Sequence, residues 1–309
     1  GIFEVGMDKK GEINFLSKIL KPNLGIITNI SYAHSKNFRN IRGIAEAKSE
    51  IIENIKTGGI IILNGDDKFY KFLRAKAFKK NLKVFSFSIK NKKSYTSLIK
   101  ITKIKNKFKI YCKIDSKIYF YFSNSNTKNH IQNLLSALTV ISLFFELKKI
   151  PKNIFLDFKL PEGRGDISKI KFKNKVINFV DESYNSNPLS LRTALINFAN
   201  INSINNSKHV LLGDMLELGK RSQVHHQSMS KIINKLKIDK VHIYGKDIKK
   251  TYHGLKNTKK GLVLSNILQI NYLINKILSN KDYLMVKGSN STGLYKQSQL
   301  LKLNRLNAL

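Results

Sequence analysis

Strands alternating with helices along the whole chain predict an α/β protein with mainly parallel sheets. Three observations carry that expectation. Short apolar runs alternate with amphipathic stretches of helical period. The alternation restarts after the turn-forming segment Pro161-Glu162-Gly163-Arg164-Gly165. The length, 309 residues with 42% hydrophobic, suits two domains with cores of their own, expected over 1–161 and 162–309.

Residues 1–6 read as a buried strand ending in a turn, with no initiator methionine before them; the chain is therefore expected to be truncated at its N-terminus. Helix is expected over 12–20 and 44–55, and strand over 25–29, 59–63 and 84–87. A β-rich insertion follows over 97–122, then a helix over 131–147. In the second half, strands are expected over 176–180, 209–212, 240–244 and 283–286. Helices over 189–199, 222–236 and 267–278 separate them, and a helix over 294–306 closes the chain. Cys112, the only cysteine, shares one strand face with Phe108, Ile110 and Ile114, so it reads as a buried strand residue. One cysteine excludes an internal disulfide framework and a multi-cysteine metal site.

The longest apolar run, 134–147, contains Glu146 and is too short for a membrane span, and no signal peptide opens the chain. A cytoplasmic, non-membrane setting is expected. The net charge of +36 invites a nucleic-acid partner, but only seven of the 56 basic residues are arginines, the residue best suited to bidentate readout. The lysines are spread over nearly every segment and accompanied by asparagine and isoleucine, as an AT-biased coding sequence would produce. A solvated surface without nucleic acid is the expectation.

Ligands of open parallel sheets bind beyond the carboxyl ends of strands. Glu4, Thr28-Asn29 with His34, and Asn64-Gly65-Asp66-Asp67 fall at such ends, although each alone could be an ordinary turn residue. Lys48 lies on the same helical stripe as Ile44, Ile51, Ile52 and Ile55; an inward lysine must be paired, neutralised, modified or snorkelled. Arg164 stands between two glycines, a backbone suited to close approach to phosphate. In Asp181-Glu182-Ser183-Tyr184-Asn185-Ser186-Asn187, seven polar or hydroxyl-bearing residues follow one another where a helix cap needs only one. No Walker phosphate loop is present: in the nearest look-alike, 213–221, the glycines are six apart rather than five, and Arg221 replaces the required Ser or Thr.

Together these residues resemble the Mur ligases, and within them the branch that adds D-alanyl-D-alanine. The general motifs are Glu4-Val5-Gly6, Thr28-Asn29-Ile30 with His34, and Ala47-Lys48-Ser49-Glu50-Ile51. The branch-specific ones are 181–188 and Leu212-Gly213-Asp214-Met215-Leu216-Glu217-Leu218-Gly219. His226 and Lys287-Gly288-Ser289 match further family positions. The likeness covers the later part of a central ATPase domain and a Rossmann-like C-terminal domain, which places the family's Walker loop before residue 1. The sequence departs from the family at Asn129-His130, whose order is inverted, at Glu182, usually aspartate, and at Asn290, often arginine.

The resemblance implies an ATP- and Mg2+-dependent amide ligase of peptidoglycan precursor synthesis, acting as a monomer. Its substrates would be UDP-N-acetylmuramoyl-tripeptide and D-alanyl-D-alanine, joined through an acyl phosphate. It implies that Glu4, His34 and a carbamylated Lys48 hold the metal and that Arg164 neutralises phosphate. Asn133 and Glu182 would hold adenine and ribose, with Asp181, Tyr184 and Asn185 in the same nucleotide-binding segment. Without a Walker loop the 309 residues are expected to be inactive alone. A basic nucleic-acid-binding protein, which needs aromatics interleaved with lysines on one surface, and a non-catalytic Mur ligase remnant are the alternatives.

Overall fold

The computed structural model describes residues 1–31, 37–156, 162–203 and 205–303. They form two compact units, Gly1–Lys159 and Leu160–Leu309, each with its own six-stranded sheet.

The first sheet runs in chain order: β1 (Leu24–Ile27), β2 (Ile60–Asn64), β3 (Lys83–Ser88), β4 (Thr96–Ile104), β5 (Lys107–Ile114) and β6 (Lys117–Ser123). β1 to β4 are parallel, and β4 to β6 are an antiparallel meander, the β-rich insertion. Among the described residues the α-helices beside it are α1 (Glu12–Leu20), α2 (Ile41–Lys48), α3 (Glu50–Asn54), α4 (Tyr70–Lys79) and α5 (Lys128–Phe144). β2 shows why the run Ile60-Ile61-Ile62-Leu63 is apolar throughout. Ile61 and Leu63 pack into the core of α1 to α4, and Ile62 into the core of α5, so both faces of the strand are covered. Cys112 is fully buried, and burial pushes its thiol up to about 12, which keeps it unreactive.

Two expectations here are corrected. Residues 1–6 are not a buried strand: Ile2 and Phe3 are 101% and 67% exposed, and β1, the sheet edge, pairs only with β2. A strand needs a neighbour to take up its backbone groups, and among the described residues none pairs with residues 1–6. The helix expected over 44–55 starts earlier and breaks at Ser49, whose hydroxyl donates to the Glu46 carbonyl at 2.6 Å.

The second sheet has the order β11-β10-β9-β12-β8-β7. Its strands are β7 (Asp166–Phe172), β8 (Lys175–Asp181), β9 (Lys208–Gly213), β10 (Lys240–Tyr244), β11 (Lys260–Leu264) and β12 (Tyr283–Lys287). All pairs are parallel except β7 with β8. Val210 and Leu212 of β9 face α6 (Pro188–Ala199) and α7 (Ser222–Ile233), while Leu211 faces the opposite core, which includes α10 (Leu294–Lys302). Short helices α8 (Lys249–His253) and α9 (Ile270–Tyr272) complete the unit. The helix expected over 267–278 is a composite, a 3-10 turn leading into α9 and then a π-helical turn. The end of the last expected helix, 304–306, lies outside the described residues.

Three lysines serve as internal caps. Lys175 Nζ donates to the carbonyls of Asn275 and Leu278, Lys208 Nζ to Ala199 and Ile201, and Lys259 Nζ to Leu236 and Ile238, at 2.5–2.8 Å. Each cation thus satisfies carbonyls left over where a helical stretch ends. Near the start of β9 and in the middle of β10, His209 and His242 stack, with ring centroids 5.4 Å apart. His242 Nδ1 accepts from the Leu262 N–H at 2.9 Å, so its Nε2 carries the proton given to His209 Nδ1 at 3.1 Å. Burial holds both imidazoles below their usual range, His242 at about 3.

Candidate active site

In the first unit the polar groups gather beyond β1 and β2. The half-buried Lys48, last residue of α2, donates from Nζ to the Asn29 carbonyl at 3.1 Å. Burial lowers its pKa, and the negative charge of Asp67 offsets part of that effect. Asp67 itself accepts from the backbone N–H groups of Ile30 and Phe69, both at 2.8 Å. Asn64 Nδ2 donates to the Thr28 carbonyl at 2.9 Å, which ties the loop after β2 to the loop after β1. Asp66 is occupied by Ser88 and by the N–H groups of Ile89 and Lys90, the ordinary turn role. The inward stripe therefore delivers Lys48 to the strand ends.

The other first-unit candidates are placed differently. Glu4 is exposed and belongs to no strand. His34 lies outside the described residues. Asn133 is exposed on α5, one turn beyond the exposed Asn129, so the two share an outward face. His130 between them turns inward, its Nε2 2.7 Å from Ser123 Oγ, and burial lowers its pKa. Among the described residues no cluster of three His, Cys, Asp or Glu side chains could hold a metal ion.

In the second unit the polar segments lie at the C-terminal ends of adjacent strands, β8, β12 and β9. Residues 163–166 zip against 181–184. The Gly165 N–H donates to the Asp181 carbonyl at 2.7 Å, and the Tyr184 N–H donates to the Gly163 carbonyl at 3.0 Å. Gly163 requires its residue type: its φ is +74°, and a Cβ there would stand 2.8 Å from Tyr184 N. Arg164, exposed between the two glycines, has its guanidinium carbon 4.4 Å from the centroid of the Tyr184 ring. Tyr184 meets Tyr295 of α10 edge to face at 5.6 Å. The guanidinium is thus stacked on a braced ring with its donors free to point outward.

The four sequence candidates in 181–185 divide by exposure. Asp181 is fully buried: Oδ1 accepts from the Ser183 hydroxyl and N–H, and Oδ2 from Lys302 and Gln299 of α10. It anchors the segment and offers no free oxygen to a ligand. Tyr184 and Asn185 are exposed, and Glu182 is half-buried. Burial raises the Glu182 pKa, and the neighbouring ammonium of Lys287 opposes that shift.

Lys287 is the residue the sequence named only as part of a motif. It is 2% exposed, and Nζ donates to the carbonyls of Glu182 at 3.2 Å and Asn185 at 2.9 Å, and to Glu182 Oε2 at 3.4 Å. Its signal in the sequence was a lysine closing the apolar run Leu284-Met285-Val286. Ser289 ties the neighbouring loop, accepting at Oγ from the Leu216 N–H at 2.8 Å and donating to the Ser186 carbonyl at 3.2 Å. His226 is an internal strut, accepting at Nε2 from the Met215 N–H at 3.0 Å, with Nδ1 2.8 Å from the Ser222 carbonyl.

Residues 1–141 match the family described as Mur ligase middle domain, and 168–290 the family described as Mur ligase, glutamate ligase domain. A UDP-N-acetylmuramoyl-tripeptide–D-alanyl-D-alanine ligase of Rickettsia prowazekii (strain Madrid E) is 30% identical over 96% of this chain. Its counterpart in Buchnera aphidicola subsp. Acyrthosiphon pisum is 31% identical over 96%. The chain spans 64% and 63% of the lengths of these two relatives. Among solved structures, MurF from Acinetobacter baumannii superposes with a TM-score of 0.81 at 24% identity, over 98% of this chain and 63% of that one. MurF from Thermotoga maritima in complex with ADP gives 0.78 at 20% identity, over 99% and 67%. With both domain families matched in order, and both sheets sharing the fold of those structures, the chain belongs to the Mur ligase family.

Proposed function

We propose that the chain provides the later part of the ATPase domain and the C-terminal domain of a ligase that joins D-alanyl-D-alanine to UDP-N-acetylmuramoyl-tripeptide. ATP would phosphorylate the terminal carboxylate of the tripeptide and leave as ADP. The dipeptide amine would then attack the acyl phosphate, releasing inorganic phosphate as the amide forms. The observation that supports this most is the alignment of 96% of this chain with each of two ligases of that name, at 30% and 31% identity. The setting proposed is the cytoplasm, with the enzyme a monomer and no nucleic acid needed. No helix among the described residues is long and apolar enough to cross a membrane.

Within this reading Arg164, held on Tyr184, meets phosphate charge as it shifts during transfer. Asn133 and Asn185 offer exposed amides, and Tyr184 an exposed ring, for a nucleotide; Glu182 offers a carboxylate to ribose hydroxyls. Lys48 fits carbamylation chemically. Its lowered pKa enlarges the neutral amine fraction, which adds carbon dioxide and releases a proton to leave an anion. Magnesium, when bound, would neutralise phosphate oxygens. Glu4, His34 and the Lys48 carbamate are the groups assigned to hold it, the first two on the family resemblance alone.

A test joins this chain to the N-terminal third of a curated relative and follows the mass of the UDP-linked product. Addition of both alanines, dependent on ATP, is the expected result. A folded, nucleotide-binding chimera that makes no such product would overturn the assignment.

One surface bears on the nucleic-acid alternative, and it argues against it. On the outward face of β5 and β6, Lys109 Nζ lies 3.9 Å from the Phe120 ring centroid, and Lys100 Nζ lies 4.9 Å from that of Tyr111. These ammonium groups occupy ring faces on which a base would stack, so the surface satisfies itself.

A further inference from the structure

We infer that Lys287 is a positioning residue that presents Glu182 and the 182–185 backbone to the ribose hydroxyls of the nucleotide. The inference rests on the ligase reading for the identity of the ligand, but the clamp itself is geometric. Lys287 ends β12, next to β8, so its side chain emerges behind the segment that β8 leads into. Its three hydrogen bonds fall on residues 182 and 185, on two carbonyls and one carboxylate oxygen.

An ammonium has three donors, and all three are used inside the protein. None is left for a ligand, so Lys287 cannot act as a phosphate-binding lysine in this arrangement. Its task is instead to fix what lies in front of it. Glu182 Oε2 faces the clamp, while Oε1 makes no hydrogen bond among the described residues. A Cβ at Gly165 would stand 3.0 Å from that same Oε1, so the glycine keeps the space beside it open. Asn290 adds a fourth tie from the same strand end, donating from Nδ2 to the Tyr184 carbonyl at 3.2 Å. Every carbonyl from Tyr184 to Ser186, and that of Glu182, is therefore held from behind by the segment 287–290. Such fixing matters because a carboxylate recognising a diol must hold its oxygens in place before the ligand arrives.

The experiment uses the 309-residue chain with Lys287→Met, which keeps the apolar stem, and Lys287→Gln as a second variant. Two readouts are taken. Amide hydrogen exchange at 183–186 is expected to rise roughly tenfold in both variants, while the β9 amides stay protected. Binding of ADP is compared with that of 2′,3′-dideoxy-ADP. The parent is expected to prefer ADP roughly tenfold, and both variants to lose that preference. Glu182→Gln is expected to weaken the preference without loosening the 183–186 amides, since the two carbonyl bonds of Lys287 remain. Unchanged exchange in both Lys287 variants overturns the clamp. Loosened amides with a retained ADP preference overturn the presentation of Glu182. A parent that binds both nucleotides equally removes the ribose assignment, and with it this role, while leaving the ligase reading standing.

Discussion

Lys48 and Lys287 are both lysines at otherwise apolar inward positions, yet they are satisfied in different ways. Lys287 has three internal acceptors, whereas Lys48 has one carbonyl and the field of Asp67. That difference supports the proposal that Lys48 carries the carbamate. In the chimera with an N-terminal third, Lys48→Ala and Lys48→Arg are each expected to lower kcat roughly a hundredfold or more, because neither carries a carbamate. A snorkelling lysine would instead tolerate arginine, so an active Lys48→Arg chimera rules the carbamate out. The His209–His242 pair supports a second prediction. Both folded-state pKa values are depressed, so the folded protein takes up fewer protons than the unfolded chain. Their contribution is complete above the unfolded value near 6.5 and is lost as pH falls toward about 3, the folded value of His242. Asp282, Asp239 and Lys240 also act on the pair, the two aspartates favouring protonation of His209. Urea unfolding of the second unit should weaken by up to about 1.4 kcal/mol per pH unit for each proton taken up. His242→Gln should flatten that slope; an equally steep variant would place the acid sensitivity elsewhere.

At the scale of elements, α6 offers the cleanest test. Asn187 caps it by accepting from the Ser190 N–H at 2.9 Å, Ser190 returns the bond to the Asn187 N–H at 3.0 Å, and Pro188 opens the helix. Asn187→Ala should cost about 1 kcal/mol in the denaturant-unfolding free energy of the second unit, and glycine less. The interior strands were legible in the sequence, because a strand covered on both faces must be apolar throughout. The capping box was not singled out, since Asn187 was read as part of the polar run. What escaped was peripheral. β7 and β11 are edge strands with mostly exposed or half-buried residues, so neither left a clear apolar pattern. The break behind Lys48 depends on one serine hydroxyl and is invisible to periodicity. Of the candidate site, the arginine between glycines and the polar run after β8 could be singled out from the sequence. The difference between the buried anchor Asp181 and the half-buried Glu182 was not legible, since it follows from Lys302, Gln299 and Lys287 more than a hundred residues away.

Over the whole molecule, the 309 residues contain no Walker loop, and the chain by itself is expected to release no phosphate from ATP in the presence of both substrates. Substrate-dependent release from this chain alone would contradict that. The charge of +36 should draw polyanions without sequence preference, and that binding should collapse between 50 and 200 mM salt, roughly the range over which counterion release dominates. The lysine caps carry a different consequence. Most of the chain's ammonium groups stand in water, but Lys175, Lys208, Lys259 and Lys287 are spent on carbonyls. An amine-reactive reagent would therefore modify the chain in two waves, first the surface and only later these four. In a protein so rich in one nucleophile, the order in which lysines acquire label becomes an internal clock for unfolding. It reads three helix ends and the 182–185 segment separately, with no added probe.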